Sequence, residues 1–374
     1  MNESKNIRLG VLTSSRADYG IYYPLLALLS KDSDIELTIF AFGMHLQEQY
    51  GFTVEHVLKD DFGKVVQVQG MSEGDGQLEI AHSYSKLIEN FALVWANNEY
   101  DLILALGDRF EMSAAVQSTI PFGLRLAHIH AGETTLGAND DIYRHQISLA
   151  AQLFFVSTSE YREKVKQLKG SAKNVYNFGA LSLDRIRRLE LPAWAEVCSR
   201  FNLPKEPFVL ITVHPETAGV INLEFAHQQL FSALSDLANN YQLIITLPNA
   251  DHKSGELRAI LQELKGAHPS KVFLIKSFGK MAYFSAIKAS RFLLGNTSSG
   301  IIEAASFGKY VINLGDRQKG RVQSENVLNV PFDKHKILNA VQDIERFGDF
   351  DGQNIYEGSN TAEKIVKVLK KFVD

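Results

Sequence analysis

Short apolar runs alternate with amphipathic stretches along the first half of the chain. Continuous runs such as the segment DLILAL are typical of strands buried on both faces, whereas apolar positions three and four apart indicate helices. Strands are predicted at 7–13, 35–42, 101–106, 124–130 and 153–157, and helices at 21–29, at 80–95 and from 111 onward. This alternation predicts a parallel sheet with helical connections, so the first half is interpreted as a doubly wound α/β domain.

The same rhythm resumes after the turn-forming segment FNLPKEP at 201–207. Strands are predicted at 208–213, 243–247, 272–275, 292–294 and 310–314, and helices at 225–237 and 301–307. The α/β chain is therefore divided into two Rossmann-like domains, at 1–180 and 205–345, with a central cleft expected between them. The final segment, about 361–374, has apolar residues on one face and lysines on the other, which indicates an amphipathic helix.

Composition narrows the possible partners of this 374-residue chain. Its 39 Lys and Arg residues against 43 Asp and Glu give a net charge of −4 without a polybasic run, so no nucleic-acid partner is expected. The single cysteine, Cys198, excludes an internal disulfide. No membrane-spanning segment is predicted, because the longest uncharged stretch, between Arg144 and Glu160, is short and interrupted by polar residues. No signal peptide is predicted, because the first residues, MNESKNIRLG, contain no apolar region. A cytoplasmic location is expected.

The segment LLGNTSSGIIEAASFG at 293–308 is the sharpest local motif. It predicts a strand, a turn and a helix whose first N–H groups, together with Ser298 and Ser299, could bind phosphate; simple helix capping is the alternative. The basic segment at 316–321 follows closely and supplies guanidinium groups suited to phosphate. Because neither GxGxxG nor a P-loop is present, the pattern disfavours dinucleotide hydride transfer and ATP hydrolysis. No cofactor is predicted.

Carboxylates gather in two loops that follow predicted strands, where ligands bind in open α/β sheets. Asp108, Glu133, Asp140 and Asp141 could form an acid/base pair around a bound sugar or acyl group, although each could instead be a local helix cap. His214 follows a buried strand and is either a catalytic or a structural histidine. No metal site is predicted, because no cluster of His, Cys, Asp and Glu residues has zinc spacing.

Taken in order, nine short motifs resemble those of the hydrolysing UDP-N-acetylglucosamine 2-epimerases, most closely the branch serving sialic-acid biosynthesis, which releases free N-acetylmannosamine. The matching segments are SRADYGI at 15–21, GMHL at 43–46, GDRFE at 107–111, HIHAGE at 128–133, DDIYRH at 140–145, HPET at 214–217, NAD at 249–251, GNTSSGIIE at 295–303 and GDRQKGR at 315–321. The resemblance runs over nearly the whole chain. The resemblance implies a GT-B fold, a C-terminal helix that returns to the first domain, and a homodimer or a dimer of dimers.

The resemblance also implies roles for individual residues. It implies UDP binding by Arg16, His214, Asn249, Ser298, Ser299, Glu303 and Arg321, with Glu303 at the ribose. It implies acid/base roles for Asp108, Glu133 and Asp140, and sugar contacts by His45, Arg109 and Arg144. Many relatives carry Glu where this chain has His130, which makes His130 a further candidate for the proton transfer.

The reaction implied is removal of the C2 proton, departure of UDP from C1 to give a 2-acetamidoglucal, and addition of water with inversion at C2. UDP-N-acetylglucosamine is the expected substrate. The alternative is UDP-N,N′-diacetylbacillosamine, used by a relative on the way to legionaminic acid, which differs at C4 and C6 of the sugar. More remote alternatives are a GT-B glycosyltransferase, which needs an acceptor groove, and a nucleotide-sugar sensor without catalysis.

Overall fold

The computed structural model describes residues 6–74, 76–216, 223–248 and 254–373. These residues form two compact units. Unit 1 comprises the described residues of Met1–Glu133, Asp140–Arg185 and Tyr356–Asp374, and unit 2 those of Thr134–Asn139 and Ile186–Ile355. None of the helices in the described part of the chain is both long enough and apolar enough to cross a bilayer.

Unit 1 is built on a parallel sheet of seven strands in the order β3-β2-β1-β4-β5-β6-β7. The strands are β1 (Ile7–Thr13), β2 (Ile35–Phe42), β3 (Lys64–Val68), β4 (Leu102–Leu106), β5 (Leu126–Ile129), β6 (Leu153–Val156) and β7 (Val175–Asn177). At the centre, Leu9 of β1 pairs with Leu37 on one side and Leu102 on the other. Every residue of β4 is buried, which is why this strand is an unbroken apolar run.

Six helices connect these strands. They are α1 (Arg16–Leu29), α2 (Val54–Asp60), α3 (Gln77–Asn97), α4 (Phe110–Gln117), α5 (Asp140–Ala150) and α6 (Ser159–Lys169). Helix α1 begins directly after β1 in a capping box formed by Ser15 and Asp18. Helices α4 and α5 likewise begin in the loops that follow β4 and β5, so the polar residues of these loops are fixed close to the ends of the strands.

Unit 2 contains a second parallel sheet, with six strands in the order β10-β9-β8-β11-β12-β13. These are β8 (Phe208–Thr212), β9 (Gln242–Thr246), β10 (Val272–Ile275), β11 (Leu293–Gly295), β12 (Val311–Leu314) and β13 (Val327–Val330). The helices are α7 (Trp194–Phe201), α8 (Leu223–Leu237), α9 (Ser254–Ala267), α10 (Lys280–Ala289), α11 (Ser298–Ile302) and α12 (Lys334–Phe347). The α/β class with two Rossmann-like halves is therefore confirmed.

The last helix, α13 (Thr361–Val373), belongs to unit 1 and packs against α1. Its apolar face buries Ala362, Ile365 and Leu369 in the core of unit 1. On its polar face, Lys370 forms ion pairs with Asp32 and Asp34.

Two differences between the predicted and observed elements bear on the site. The strand predicted to include His130 ends at Ile129, because His130 has a φ of +62°, which is incompatible with extended backbone. The helix predicted at 301–307 is instead the five-residue helix α11 followed by a 3₁₀ turn over Ala304–Phe307. A helix this short has a small dipole, so anion binding at its first turn depends on its free N–H groups and hydroxyls.

Candidate active site

A cluster of ionisable side chains lies at the carboxyl ends of β4 and β5 in unit 1. Asp108 follows β4 after Gly107, whose φ of +80° turns the chain out of the strand. His130 and Glu133 follow β5, which pairs directly with β4. We call Asp108, His130, Glu133 and Arg144 the strand-end cluster.

Arg144 holds this cluster together from the middle of α5. It is 2% exposed, and its Nη1 donates to the backbone oxygen of His130 at 2.8 Å while its Nη2 donates to the carboxylate of Asp108. Nη1 also lies 3.9 Å from Oε2 of Glu133. A planar guanidinium can make these contacts in several directions at once, so Arg144 fixes the two strand-end loops relative to each other.

The turn from His130 to Glu133 folds back on itself. Left-handed φ values at His130 (+62°) and Gly132 (+72°) bring the Glu133 carboxylate to the edge of the imidazole, with Nδ1 of His130 2.5 Å from Oε1 of Glu133. A side chain at Gly132 would collide with the backbone oxygen of Tyr161, so glycine is required there. Ser157, directly after β6, donates its hydroxyl to the same Oε1 at 2.8 Å.

His128 supports the cluster from within the sheet. Its Nε2 lies 2.8 Å from the backbone oxygen of Gly107, and its Nδ1 lies 2.9 Å from Oγ of Ser148. Because a carbonyl oxygen only accepts, Nε2 carries the proton of the neutral ring. Complete burial lowers the pKa of His128 to about 3, since the charged form is disfavoured away from water. His128 is therefore a neutral hydrogen-bond donor that fixes the residue preceding Asp108.

Two further predicted residues flank the cluster. Asp140 lies in the first turn of α5, one helical turn before Arg144 and on the same face of the helix. Arg109 precedes α4, and its guanidinium donates to the buried carboxylate of Glu111 at 3.0 to 3.3 Å.

The loop between β1 and α1 is organised by one buried carboxylate. Asp18 is 5% exposed and accepts four hydrogen bonds, from the backbone N–H and the hydroxyl of both Ser14 and Ser15, at 2.5 to 3.1 Å. Arg16 is an exposed residue in the first turn of α1, immediately after this ordered loop. The hydrogen bonds to Asp18 therefore hold the backbone next to Arg16 in one conformation.

His45 lies behind the same loop and is fully buried. Its Nε2 is 3.0 Å from Oγ1 of Thr13, and its Nδ1 is 2.8 Å from Oγ1 of Thr53. Burial lowers the pKa of His45. Both ring nitrogens are within hydrogen-bond distance of hydroxyls, so a direct hydrogen bond from His45 to a sugar requires one of these contacts to break.

In unit 2, the loops after β8 and β11 are joined by Asn296. Its Oδ1 accepts from the backbone N–H of His214 at 2.7 Å, and its Nδ2 donates to the backbone oxygen of His214 at 2.9 Å. The backbone oxygen of Asn296 in turn accepts from Gln318 at 2.8 Å and from Arg317 at 3.2 Å. The GNTSS turn and the basic segment 316–321, both singled out in the sequence, are therefore in direct contact.

The first turn of α11 presents Ser298 and Ser299, and its N-cap Thr297 accepts from the backbone N–H of Ser299 at 3.4 Å. The side chain of Tyr283, on α10, lies near Ser299 and near Thr212 at the end of β8, and burial raises its pKa. Glu303, at the C-cap of α11, is 8% exposed and acts electrostatically on Tyr283. The sequence analysis missed Tyr283, because helix α10 was not predicted.

The basic segment is anchored by a further carboxylate, Glu216. Its Oε1 accepts from the backbone N–H groups of Asp316 at 2.7 Å and Arg317 at 3.2 Å, and burial raises its pKa. Arg321 follows in the same turn, with its backbone N–H 3.1 Å from the oxygen of Gln318. Asn249, predicted to bind UDP, lies outside the described residues. Within the described ranges, no group of three or more His, Cys, Asp and Glu side chains could hold a metal ion.

Comparison with known proteins identifies the family of this two-unit α/β chain. The family model described as UDP-N-acetylglucosamine 2-epimerase matches residues 27–370. The chain therefore belongs to the UDP-N-acetylglucosamine 2-epimerase family, which confirms the resemblance seen in the motifs, and it is an enzyme of this family.

Curated relatives match over almost the full length. A polysialic acid biosynthesis protein of Escherichia coli is 32% identical over 97% of this chain and 93% of its own length. A UDP-N,N′-diacetylbacillosamine 2-epimerase (hydrolyzing) of Legionella pneumophila is 31% identical over 96% of this chain and 94% of its own. Among solved structures, the UDP-GlcNAc 2-epimerase of Neisseria meningitidis bound to UDP-GlcNAc shares the fold, with a TM-score of 0.81, 17% identity and coverage of 98% of this chain and 100% of that one. The predicted GT-B fold class is confirmed.

Proposed function

We propose that the chain is a hydrolysing UDP-N-acetylhexosamine 2-epimerase, which converts UDP-N-acetylglucosamine to free N-acetylmannosamine and UDP for the biosynthesis of sialic-type (nonulosonic) acids. The observation that carries this proposal is the strand-end cluster: Asp108, His130 and Glu133 end two adjacent strands and are joined by Arg144. Epimerisation through a 2-acetamidoglucal needs two proton transfers at C2, one out and one in, and the cluster offers several groups able to exchange a proton.

The leaving group needs separate stabilisation, because a C2 proton is weakly acidic and UDP must depart with the electrons of the C1–O bond. We assign UDP binding to the residues implied by the family motifs: Arg16, His214, Asn249, Ser298, Ser299, Glu303 and Arg321. Support comes from the contact of the GNTSS turn with segment 316–321 through Asn296, Arg317 and Gln318. Hydroxyls, free N–H groups and guanidinium groups are the donors that a diphosphate requires.

Asp108, His130, Glu133 and Asp140 form the proposed acid/base set, and Arg109 and Arg144 are the proposed sugar contacts. Since Arg144 is already engaged with His130 and Asp108, its contribution is chiefly to fix those two groups. The contacts of His45 with Thr13 and Thr53 favour a structural role, in which His45 stabilises the loop that carries Arg16. A cytoplasmic, homodimeric enzyme or a dimer of dimers is part of the same proposal.

UDP-N,N′-diacetylbacillosamine is the second candidate substrate, and the specific observation in its favour is the Legionella pneumophila relative named for it, at 31% identity. The deciding experiment incubates the purified protein with each of the two UDP sugars and measures the initial rate of UDP release. We expect one sugar to be preferred in kcat/KM by about tenfold or more, as the loss of a specific polar contact produces. An Asp108→Asn sample prepared in parallel controls for contaminating hydrolases, and release of UDP from neither sugar contradicts the proposal.

A further inference from the structure

His130 has one ring nitrogen occupied and one available. The residue is 5% exposed, and its Nδ1 lies 2.5 Å from Oε1 of Glu133. Its Nε2 is buried and has no hydrogen-bond partner among residues 6–74, 76–216, 223–248 and 254–373. A buried polar atom without a partner is costly, so it is retained in folded proteins mainly where a ligand or a reaction uses it.

Glu133, in contrast, has a buried carboxylate oxygen with two hydrogen-bond partners. Its side chain is 1% exposed, and its Oε1 accepts from both His130 and Ser157. Ser157 comes from the end of β6, the strand next to β5, so two neighbouring strands hold this carboxylate. A carboxylate that accepts at Nδ1 fixes the orientation of an imidazole and its tautomer, with the proton on Nδ1 and the lone pair on Nε2.

We propose that Nε2 of His130 removes the C2 proton of the sugar, and that Glu133 and Ser157 are positioning residues that orient the His130 ring. The inference rests on the proposed function and assigns roles within its acid/base set. The family resemblance implied an acid/base role for Glu133, whereas the proposal makes Glu133 a positioning residue.

The step balances without any further reactant. The C2 proton passes to Nε2, the electron pair of the C2–H bond forms the C1=C2 double bond, and the C1–O bond breaks with its electron pair leaving on UDP. The imidazolium formed is stabilised by the adjacent Glu133 carboxylate. Water then supplies a hydroxyl to C1 and a proton to C2, and the imidazolium loses its proton to solvent.

The backbone of His130 guides the choice of variants. At a φ of +62°, asparagine and glycine are the residues that replace histidine with least strain. His130→Asn keeps a polar group toward Glu133 and removes the base, whereas His130→Gly leaves a space that free imidazole can enter. Each variant is compared with the wild type for kcat, KM and solvent deuterium incorporation at C2, and thermal unfolding checks that it is folded.

We expect His130→Asn to lower kcat by about 100-fold or more with little change in KM, as removal of a general base does. Free imidazole should restore part of the C2 exchange in His130→Gly. Glu133→Gln should lower kcat by about tenfold or more, and Ser157→Ala by a smaller factor, because both leave the base present but less well oriented. Glu163→Gln and Ser159→Ala, on the exposed surface of α6, are the matched controls with unchanged rates.

Two different failures can be told apart. Wild-type protein that releases no UDP from either sugar contradicts the proposed function, and the assignment of His130 falls with it. Active wild type together with a folded His130→Asn variant that keeps more than about a third of wild-type kcat contradicts the His130 assignment alone. Loss of C2 exchange in Glu133→Gln while His130→Asn retains it would make Glu133 the base instead.

Discussion

Asn296 hydrogen-bonds with both polar backbone atoms of His214, accepting from its N–H at 2.7 Å and donating to its oxygen at 2.9 Å. His214 lies beyond the end of β8, and the side chain of Asn296 supplies the hydrogen bonds that a neighbouring strand would otherwise give to its backbone. Since Asn296 is fully buried, removal of this side chain leaves the His214 backbone without these partners. The position of His214 therefore depends on Asn296.

Asn296→Ala should weaken UDP binding although residue 296 contributes no charge. We expect an increase in the Kd for UDP of about tenfold, together with a loss of about 1–3 kcal/mol in the free energy of unfolding, as an unsatisfied buried backbone group costs. Titration calorimetry with UDP and urea unfolding measure the two effects. Asn240→Ala, at an exposed position after α8, is the control that should change neither; unchanged UDP affinity in Asn296→Ala would separate His214 from the nucleotide site.

Arg321→Ala tests the diphosphate site directly. Because a guanidinium contacts phosphate in substrate and product alike, we expect the Kd for UDP to rise by about tenfold or more, the size of a lost charge-assisted hydrogen bond. Arg346→Ala serves as the control, since the side chain of Arg346 is 75% exposed and forms an ion pair with nearby Asp343. Calorimetry showing equal UDP affinity for Arg321→Ala and wild type would place the phosphates elsewhere.

Asp108→Asn keeps the shape of the side chain and removes its charge. We expect kcat to fall by about 100-fold or more with little change in UDP affinity, because an acid/base group acts on the sugar and not on the nucleotide. The steady-state rate of UDP release measures the effect. A matched control is Asp349→Asn, whose exposed carboxylate pairs with Lys309; comparable turnover in both variants would remove Asp108 from the chemistry.

The expectation that functional residues follow the strands of an open α/β sheet identified part of the strand-end cluster. The hydrogen bonds within the cluster could not be predicted. Asp108 and Glu133 were found because they follow apolar runs, a local signal, whereas His130 became a candidate through the family resemblance. Ser157 lies 24 residues from Glu133 in sequence, and its hydrogen bond arises only because β6 pairs with β5. Such contacts depend on the order of strands in the sheet, which no local pattern contains.

Elements with a clear apolar pattern were predicted well, whereas three of the four edge strands, β3, β7 and β13, were not; the fourth, β10, was predicted at 272–275. The buried run of β4 was identified from its letters alone. The edge strands β3 and β13 were missed, since their residues are largely half-exposed and their sequences, KVVQV and VLNV, are short. Helix α10 was not predicted, because apolar residues occur on most of its surface and give little helical periodicity.

The acid sensitivity of the fold should depend on His128. An unfolded histidine has a pKa of about 6.5, whereas burial lowers the pKa of His128 to about 3. Between these values the unfolded chain binds more protons, so stability falls as the pH falls, by up to about 1.4 kcal/mol per pH unit from this residue.

His128→Gln removes this titration while keeping a donor for the Gly107 oxygen. Urea unfolding between about pH 4 and about pH 6 should then show a shallower decline in the free energy of unfolding than in wild type. His82→Gln, at an exposed position on α3, should leave the decline unchanged. Identical declines in wild type and His128→Gln would show that His128 is not held neutral by burial.

The most direct test of the epimerase mechanism is the fate of isotopes from solvent. Hydrolysis of a UDP sugar can break either the P–O or the C1–O bond, and only C1–O cleavage is compatible with a glycal intermediate and inversion at C2. In deuterated water enriched in ¹⁸O, we predict a released 2-acetamido sugar that carries deuterium at C2 and ¹⁸O at C1, with no ¹⁸O in UDP. Mass spectrometry and NMR of the two products give the answer. Heavy oxygen in UDP, or a sugar that retains hydrogen at C2, would contradict epimerisation and indicate simple hydrolysis of the nucleotide sugar.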